Sequence, residues 1–173
     1  PGVFSALNTR LQGSLVGKNL QTLSNTLPNC QVANQEGFVE SIKVPETNCY
    51  IKGKYDLLCK NNDETYTLID LKISQPGEDK IDKYRTQLTA YKFAMENPKY
   101  NKPIKISKTG LLIFYPENVF FEDGIAKLTF PLKWLEVFSK ESYFFNFIKT
   151  IDALLNGPLP QESAECKWCQ YKH

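Results

Sequence analysis

Residues 53–72 read GKYDLLCKNNDETYTLIDLK, and their reading decides the fold. Cys49 to Lys60 and Thr65 to Ile73 are rich in β-formers, and Asn61-Asn62-Asp63-Glu64 between them has the composition of a hairpin turn. A loop centred near position 63 sets Asp56 opposite Asp70. Strand pleating sends Asp70 and Lys72 out of one face with Leu68, and Ile69, Leu71 and Ile73 out of the other. A slip of one residue would turn Asp56 to the wrong side.

Outward from this hairpin the chain alternates helix and strand signals. Val3 to about Leu27 has roughly helical apolar spacing, interrupted by Gly13 and Gly17, and predicts one kinked helix or two short ones. Phe38 to Val44 alternates as a strand. Asp79 is a plausible N-cap for a helix reaching about Glu96, stopped by Asn97-Pro98. Ile81, Tyr84, Leu88, Tyr91 and Met95 give that helix an apolar stripe. Ile106 to Tyr115 reads as a buried strand, and Val119 to Phe130 as one or two short strands around Asp123-Gly124. Pro131 reads as a helix start, with Trp134, Leu135 and Phe138 leading an aromatic helix to Asn156. The expected class is α/β, a mixed sheet flanked by helices.

A chain of 173 residues fits one domain, 1–173, ending in a Cys-bearing tail, 159–173. No apolar run approaches the roughly 20 residues of a membrane span. Pro1-Gly2-Val3-Phe4 has neither a Met nor a charged n-region, so it reads as the edge of an excised fragment rather than a signal peptide. No Walker-type glycine loop is encoded. An odd number of cysteines, five, fits a reducing, cytoplasmic setting better than a disulfide scaffold. The net charge of +2 demands no polyanion, yet between Lys80 and Lys108 eight basic residues face two acids. That surplus fits either a nucleic-acid contact or a solvated helix face and loop.

Two converging carboxylates repel, and a divalent cation between them is the natural relief. Oxygen ligands and water suit Mg²⁺ or Mn²⁺. Lys72 beside them can position or deprotonate a water, or stabilise charge developing on a phosphate. Gln87 and Tyr91 share a helix row with Lys83 and could hold a phosphate or sugar. Taken singly, an Asp and a Lys two apart in a strand make an ordinary surface pair, and Gln87 and Tyr91 an ordinary helix flank. Order and spacing together carry the signal.

Gly53-x-x-Asp56, Asp70-x-Lys72 and Gln87-x-x-x-Tyr91 resemble the signature of the PD-(D/E)XK nuclease superfamily, in particular its RecB-like branch, which includes CRISPR-associated RecB-like exonucleases. The likeness covers about Phe38 to Phe114. It implies a restriction-endonuclease-like sheet and a Mg²⁺- or Mn²⁺-dependent deoxyribonuclease, an exonuclease of DNA repair, recombination or defence. In that likeness Asp56, Asp70 and the Leu71 carbonyl hold metal, Lys72 is catalytic, and Gln87, Tyr91 and Lys83 seat the DNA, single-stranded or at duplex ends. A helicase or larger repair or defence complex would be the partner, and no membrane. The alternative is a catalytically inactive nucleic-acid-binding module of the same fold. Many relatives carry a further metal-binding His on an early helix, whereas the single His here is His173; Glu36 and Glu40 are candidate replacements.

Cys166-Lys167-Trp168-Cys169 is a C-x-x-C, a spacing able to grip one Zn²⁺ or one iron of a cluster; it can equally pack as small apolar residues. By resemblance to iron–sulfur-bearing RecB-like nucleases, Cys30 would join Cys166 and Cys169, with His173 completing a zinc-like set as the other possibility. Cys49 and Cys59 read as strand core residues.

Overall fold

The computed structural model describes residues 2–74, 81–159, 161, 163, 165, 166 and 168. Its elements run α1 (Val3–Leu15), a 3₁₀ turn (Leu20–Thr22), β1 (Cys30–Gln35), β2 (Phe38–Lys43), β3 (Tyr50–Lys54), β4 (Leu57–Asn61), β5 (Tyr66–Lys72), α2 (Ile81–Glu96), β6 (Ile106–Phe114), β7 (Asn118–Glu122), β8 (Ile125–Thr129), β9 (Leu132–Glu136) and α3 (Glu141–Asn156). Five strands form a mixed sheet in the order β1-β4-β5-β6-β9, with β5 and β6 parallel and the other pairs antiparallel. The mixed α/β class expected from the sequence is what forms.

The central hairpin folds as its sequence implies. Leu57 pairs with Ile69 and Lys60 with Tyr66, so one further step brings position 56 level with 70. Asp63 accepts hydrogen bonds from the Thr65 amide and hydroxyl and fixes the turn. The two faces of β5 then sort two cores. Leu57, Ile69, Leu71, Leu112 and Phe114 pack with Leu11 and Leu15 of α1. Leu58, Leu68, Leu111 and Ile113 pack with Leu88 and Met95 of α2.

The expected strand over 49–60 is two strands in two sheets. β1 continues into β2, and β3 into β4, so residues 30–61 form one long antiparallel ribbon bent in the middle. The bend falls at Glu36-Gly37 on one side and Tyr55-Asp56 on the other, where the Glu36 amide donates to the Asp56 carbonyl (2.7 Å) and the Tyr55 amide to the Gly37 carbonyl (2.9 Å). Glu36 takes φ +50°, and a Cβ on Gly37 would stand 2.2 Å from the Tyr55 hydroxyl oxygen. The bend therefore needs the smallest residue at 37. β1 alternates only as far as Asn34, because the ladder with β4 shifts register between Val32 and Asn34.

Two further expectations are corrected. The helix begun at Val3 runs through Gly13 and stops at Leu15, short of Gly17 at φ +79°, and Leu20–Thr22 forms only a 3₁₀ turn. Leu132–Glu136 is a strand, not a helix start. Leu132 and Trp134 reach one core while Leu135 reaches the other, a period of two hidden by apolar residues on both faces. The N-cap expected at Asp79 lies outside the described residues.

α2 closes the molecule. It packs on the main sheet through Leu88 and on the β2–β3 hairpin, where Phe93 meets Phe144 and Phe145 of α3. At Gly110 of β6 an added Cβ would stand 2.3 Å from the Trp134 ring and 2.6 Å from the Leu135 carbonyl oxygen of β9. The carbonyl belongs to the ladder and cannot swing away. Gly110→Ala is expected to cost about 1–3 kcal/mol of stability by overpacking, measured as a lower urea midpoint with an unchanged m-value.

Candidate active site at the ribbon bend

Asp56 sits in the bend, just before the β4 ladder begins. Its backbone is diverted toward Glu36, so the Leu71 amide of β5 has no strand residue opposite it. The Asp56 carboxylate takes that place, Oδ2 accepting from Leu71 N–H at 2.8 Å. The side chain acts as a surrogate ladder rung and is held at the sheet's edge as a result.

Asp70 stands beside it on β5, 7% exposed, on the α2 face. Gln87 Nε2 donates to Asp70 Oδ1 at 3.3 Å. The Lys72 ammonium lies 2.5 Å from Asp70 Oδ2 as an ion pair and 4.7 Å from the centre of the Tyr84 ring. Burial pushes both carboxyls above the usual carboxylate range. For Asp56 the Leu71 amide opposes this and the Asp70 charge adds to it; for Asp70 the Lys72 ammonium and Gln87 amide oppose it. A half-buried acid raised further by the charge of a buried neighbour is a focus for positive charge.

The structure thus brings Asp56, Asp70, Lys72 and Gln87 to one point. Tyr91, one turn beyond Gln87, serves the other half of the ribbon: its ring covers Gly53, where a Cβ would meet ring atoms at 2.6 Å. Gly53 is glycine to admit that ring. Lys83 is exposed one turn before Gln87. The reading of residues missed Tyr84 as a site member. It appeared only as a stripe residue, although its position three before Gln87 places it on the same side of α2.

Of the two proposed replacements for the early-helix His, Glu40 is occupied elsewhere, paired with Lys99 (2.6 Å) and Lys52 (3.4 Å) on β2. Glu36 lies at the bend within the field of Asp56 but is paired with Lys54 at 2.9 Å. The basic surplus of 80–108 is also partly neutralised. Lys92 lies between Glu96 and Glu141, Arg85 pairs with Asp82, and Lys99 pairs with Glu40. Lys80 is outside the described residues.

The cysteine readings separate. Cys30 is buried on β1 with its thiol against that of Cys59 on β4, inside the α1-side core. Cys49 lies one residue before β3 rather than in it; it is half-buried, its thiol donates to Asp152, and it packs against the core of Val44, Phe144 and Ile148. Cys166 is half-buried; Cys169 and His173 lie outside the described residues. Among the described residues no three His, Cys, Asp or Glu side chains gather as a metal-binding group. For a hard cation this is no obstacle, since Mg²⁺ is bound by one or two carboxylates with carbonyl, amide and water oxygens. Half-buried Asp56 and buried Asp70 fit such an ion.

A family model described as the PD-(D/E)XK nuclease superfamily matches residues 7–173. No match was found among curated proteins. Among solved structures, the crystal structure of SSO0001 superposes with a TM-score of 0.50 at 16% identity, covering 99% of this chain and 69% of that one. At that identity the likeness shows the fold, a five-stranded mixed sheet flanked by helices of the restriction-endonuclease-like kind. No helix among the described residues is long and apolar enough to cross a membrane.

The Gly53–Tyr91 contact yields a coupled test. Gly53→Ala is expected to cost about 1–3 kcal/mol by displacing the ring. In a Tyr91→Leu background the same substitution should cost less than half as much, both read from denaturant unfolding.

Proposed function

We propose that this chain, which belongs to the PD-(D/E)XK nuclease superfamily, hydrolyses phosphodiester bonds of DNA with Mg²⁺ or Mn²⁺ as a RecB-like nuclease, residues 1–173 acting as one domain. Members of the superfamily are usually nucleases and typically use Mg²⁺ or a similar divalent ion, so a nucleic-acid substrate follows from membership. DNA, exonuclease action and a role in repair, recombination or defence beside a helicase are our reading. The observation that carries it is the convergence of Asp56, Asp70 and Lys72 where the ribbon bends.

Asp56, Asp70 and the Leu71 carbonyl would hold the ion, which when bound supplies Lewis acidity toward the scissile phosphate and its attacking water. The residues of the chain do the rest. The Leu71 amide fixes Asp56, and Gln87 fixes Asp70, so neither carboxylate must be ordered when substrate arrives. Lys72 is held from two sides, by the Asp70 carboxylate and by the Tyr84 ring. From there its ammonium would donate to an attacking water and a non-bridging phosphate oxygen as charge builds up. Lys83 and Tyr91, flanking Gln87 on α2, would contact the strand through its phosphates and sugars. Burial of the acids removes competing water and strengthens each of these interactions.

A cluster role for Cys30, Cys166 and Cys169, as iron–sulfur or zinc ligands, would require the α1-side core to open at Cys30, so it has no part in this mechanism.

The test is cleavage of end-labelled single-stranded and duplex DNA with Mn²⁺. We expect the native chain to cut, and Asp70→Ala and Lys72→Ala each to lose at least 100-fold in rate, a typical loss for a group stabilising transition-state charge. Gln87→Ala should lose less, about tenfold, because it acts through Asp70. DNA binding without Mn²⁺ binding or cleavage would identify a non-catalytic nucleic-acid-binding module. Equal cleavage by all variants would remove the mechanism.

A further inference from the structure

One face of the β2–β3 hairpin is turned to solvent. The other carries Val39, Ile51 and Gly53 against α2 and its neighbours. Pleating sends the residues between them outward. Phe38 is the cross-strand partner of Lys54, Glu40 is that of Lys52, and Tyr50 continues the outer row of β3. Residues 97–99 run along the edge of β2 away from β3. There the Ile42 amide donates to the Asn97 carbonyl (3.0 Å) and the Lys99 amide to the Glu40 carbonyl (2.9 Å). Lys99 and Tyr100 join the outer face by this route.

Three aromatic rings stand open on that face: Phe38 is 76% exposed, Tyr100 75% and Tyr50 53%. Each has an ammonium group over it. Lys54 Nζ lies 6.0 Å from the centre of the Phe38 ring, and Lys99 Nζ lies 5.9 Å from that of Tyr50 and 4.8 Å from that of Tyr100. Glu40 is shared between Lys99 (2.6 Å) and Lys52 (3.4 Å), and Glu36 pairs with Lys54 (2.9 Å). Three ammonium groups against two carboxylates leave a positive surplus, and all three lysines remain well exposed. Lysines on a hairpin edge would by themselves deter pairing with another strand. Exposed rings work against that end, so edge protection does not account for them.

The face begins at the candidate active site. Lys54 is two residues before Asp56, and its partner Glu36 donates its amide to the Asp56 carbonyl at 2.7 Å. From Lys54 the outer row of β3 runs through Lys52 to Tyr50, about 13 Å at the rise of a strand.

We propose that this face is a platform for single-stranded DNA leading to the bend, with bases stacked on Phe38, Tyr50 and Tyr100 and phosphates on Lys52, Lys54 and Lys99. The choice of DNA rests on the function proposed above. Rings interleaved with ammonium groups match a chain in which flat bases alternate with phosphates. In a duplex the base faces are already stacked on one another, so the rings favour a single strand. Stacking reads no base identity, and the platform is therefore indifferent to sequence.

The test is fluorescence anisotropy with labelled oligo(dT), a duplex of equal length and oligo(U), in EDTA so that nothing is cut. We expect the native chain to bind oligo(dT) at least tenfold more tightly than duplex. Combined Phe38→Ala, Tyr50→Ala and Tyr100→Ala should weaken oligo(dT) binding at least tenfold and leave its salt dependence unchanged. Combined Lys52→Gln, Lys54→Gln and Lys99→Gln should lower the slope of log affinity against log salt by about 2, at roughly 0.7 per phosphate contact. Phe121→Ala, on the exposed β7–β8 hairpin, should bind as native does. Native affinity in the aromatic variant overturns the platform, as does equal weakening by Phe121→Ala or equal binding of duplex. Tighter binding of oligo(U) than of oligo(dT) overturns the assignment to DNA. Should the triple aromatic variant not fold, Tyr100→Ala alone decides, with at least a threefold loss expected and native affinity overturning the platform. Cleavage with Mn²⁺ tells the two readings apart. A native chain that cuts while the aromatic variant binds normally overturns the platform alone. A native chain that cuts nothing, with binding lost in the aromatic variant, supports the platform and overturns the nuclease.

Discussion

The hydrogen bond from the Leu71 amide to the Asp56 carboxylate joins the fold to the chemistry. A strand that continued straight through residue 56 would give Leu71 a backbone partner and turn Asp56 into an ordinary pleat position. The bend at Glu36-Gly37 and Tyr55-Asp56 prevents this. It leaves one buried amide of β5 in need of an acceptor, and an unmet backbone donor there would be costly. Asp56 meets the need. The acid is thus retained by the sheet even without any ligand, and its placement depends on backbone geometry, which varies little, more than on a rotamer.

Asp70 and Lys72 are held by different means. Pleating fixes their common face, and the ion pair between them lies where few waters reach. A buried pair of this kind contributes little net stability, because desolvation offsets most of the attraction. With Asp56 alongside, the site carries two acids and one ammonium; burial raises both carboxyls, and the Asp70 charge raises Asp56 further. Such a surplus is a poor choice for stability and a good one for a divalent cation. The fold gives up some stability at this point and retains a strong preference for positive charge, a common arrangement at catalytic centres.

Much of this was legible in the sequence because it rests on local rules. A turn centred at residue 63 and a period of two were enough to set Asp56 level with Asp70 and to share a face between Asp70 and Lys72. Helical spacing was enough to bring Gln87 and Tyr91 to one side of α2. The bend was not legible. Tyr50 to Asn61 has no proline or turn dipeptide at 55–56, and what breaks the strand is tertiary: Tyr55 folds over Gly37 on the opposite chain of the ribbon. β9 was misread for a related reason. A strand buried on both faces loses its alternation, and Trp134-Leu135 with Phe138 then imitates a helix.

α2 explains how a bent ribbon can hold a precise site. A hinge between two sheets would let Asp56 drift relative to Asp70 unless something spanned it. Gln87 grips Asp70 on β5 of the main sheet, and Tyr91, one turn on, fills the notch at Gly53 on β3 of the hairpin. The two contacts lie on opposite sides of the bend and on a single rigid helix, so the angle between the sheets is fixed by the spacing of one helical turn. Phe93 and the aromatic face of α3 then press the same helix onto the hairpin from behind. In this view the Gln87-x-x-x-Tyr91 pattern is a structural brace as much as a surface for substrate, and its spacing of four follows from the need to reach both halves of the ribbon from one row of a helix.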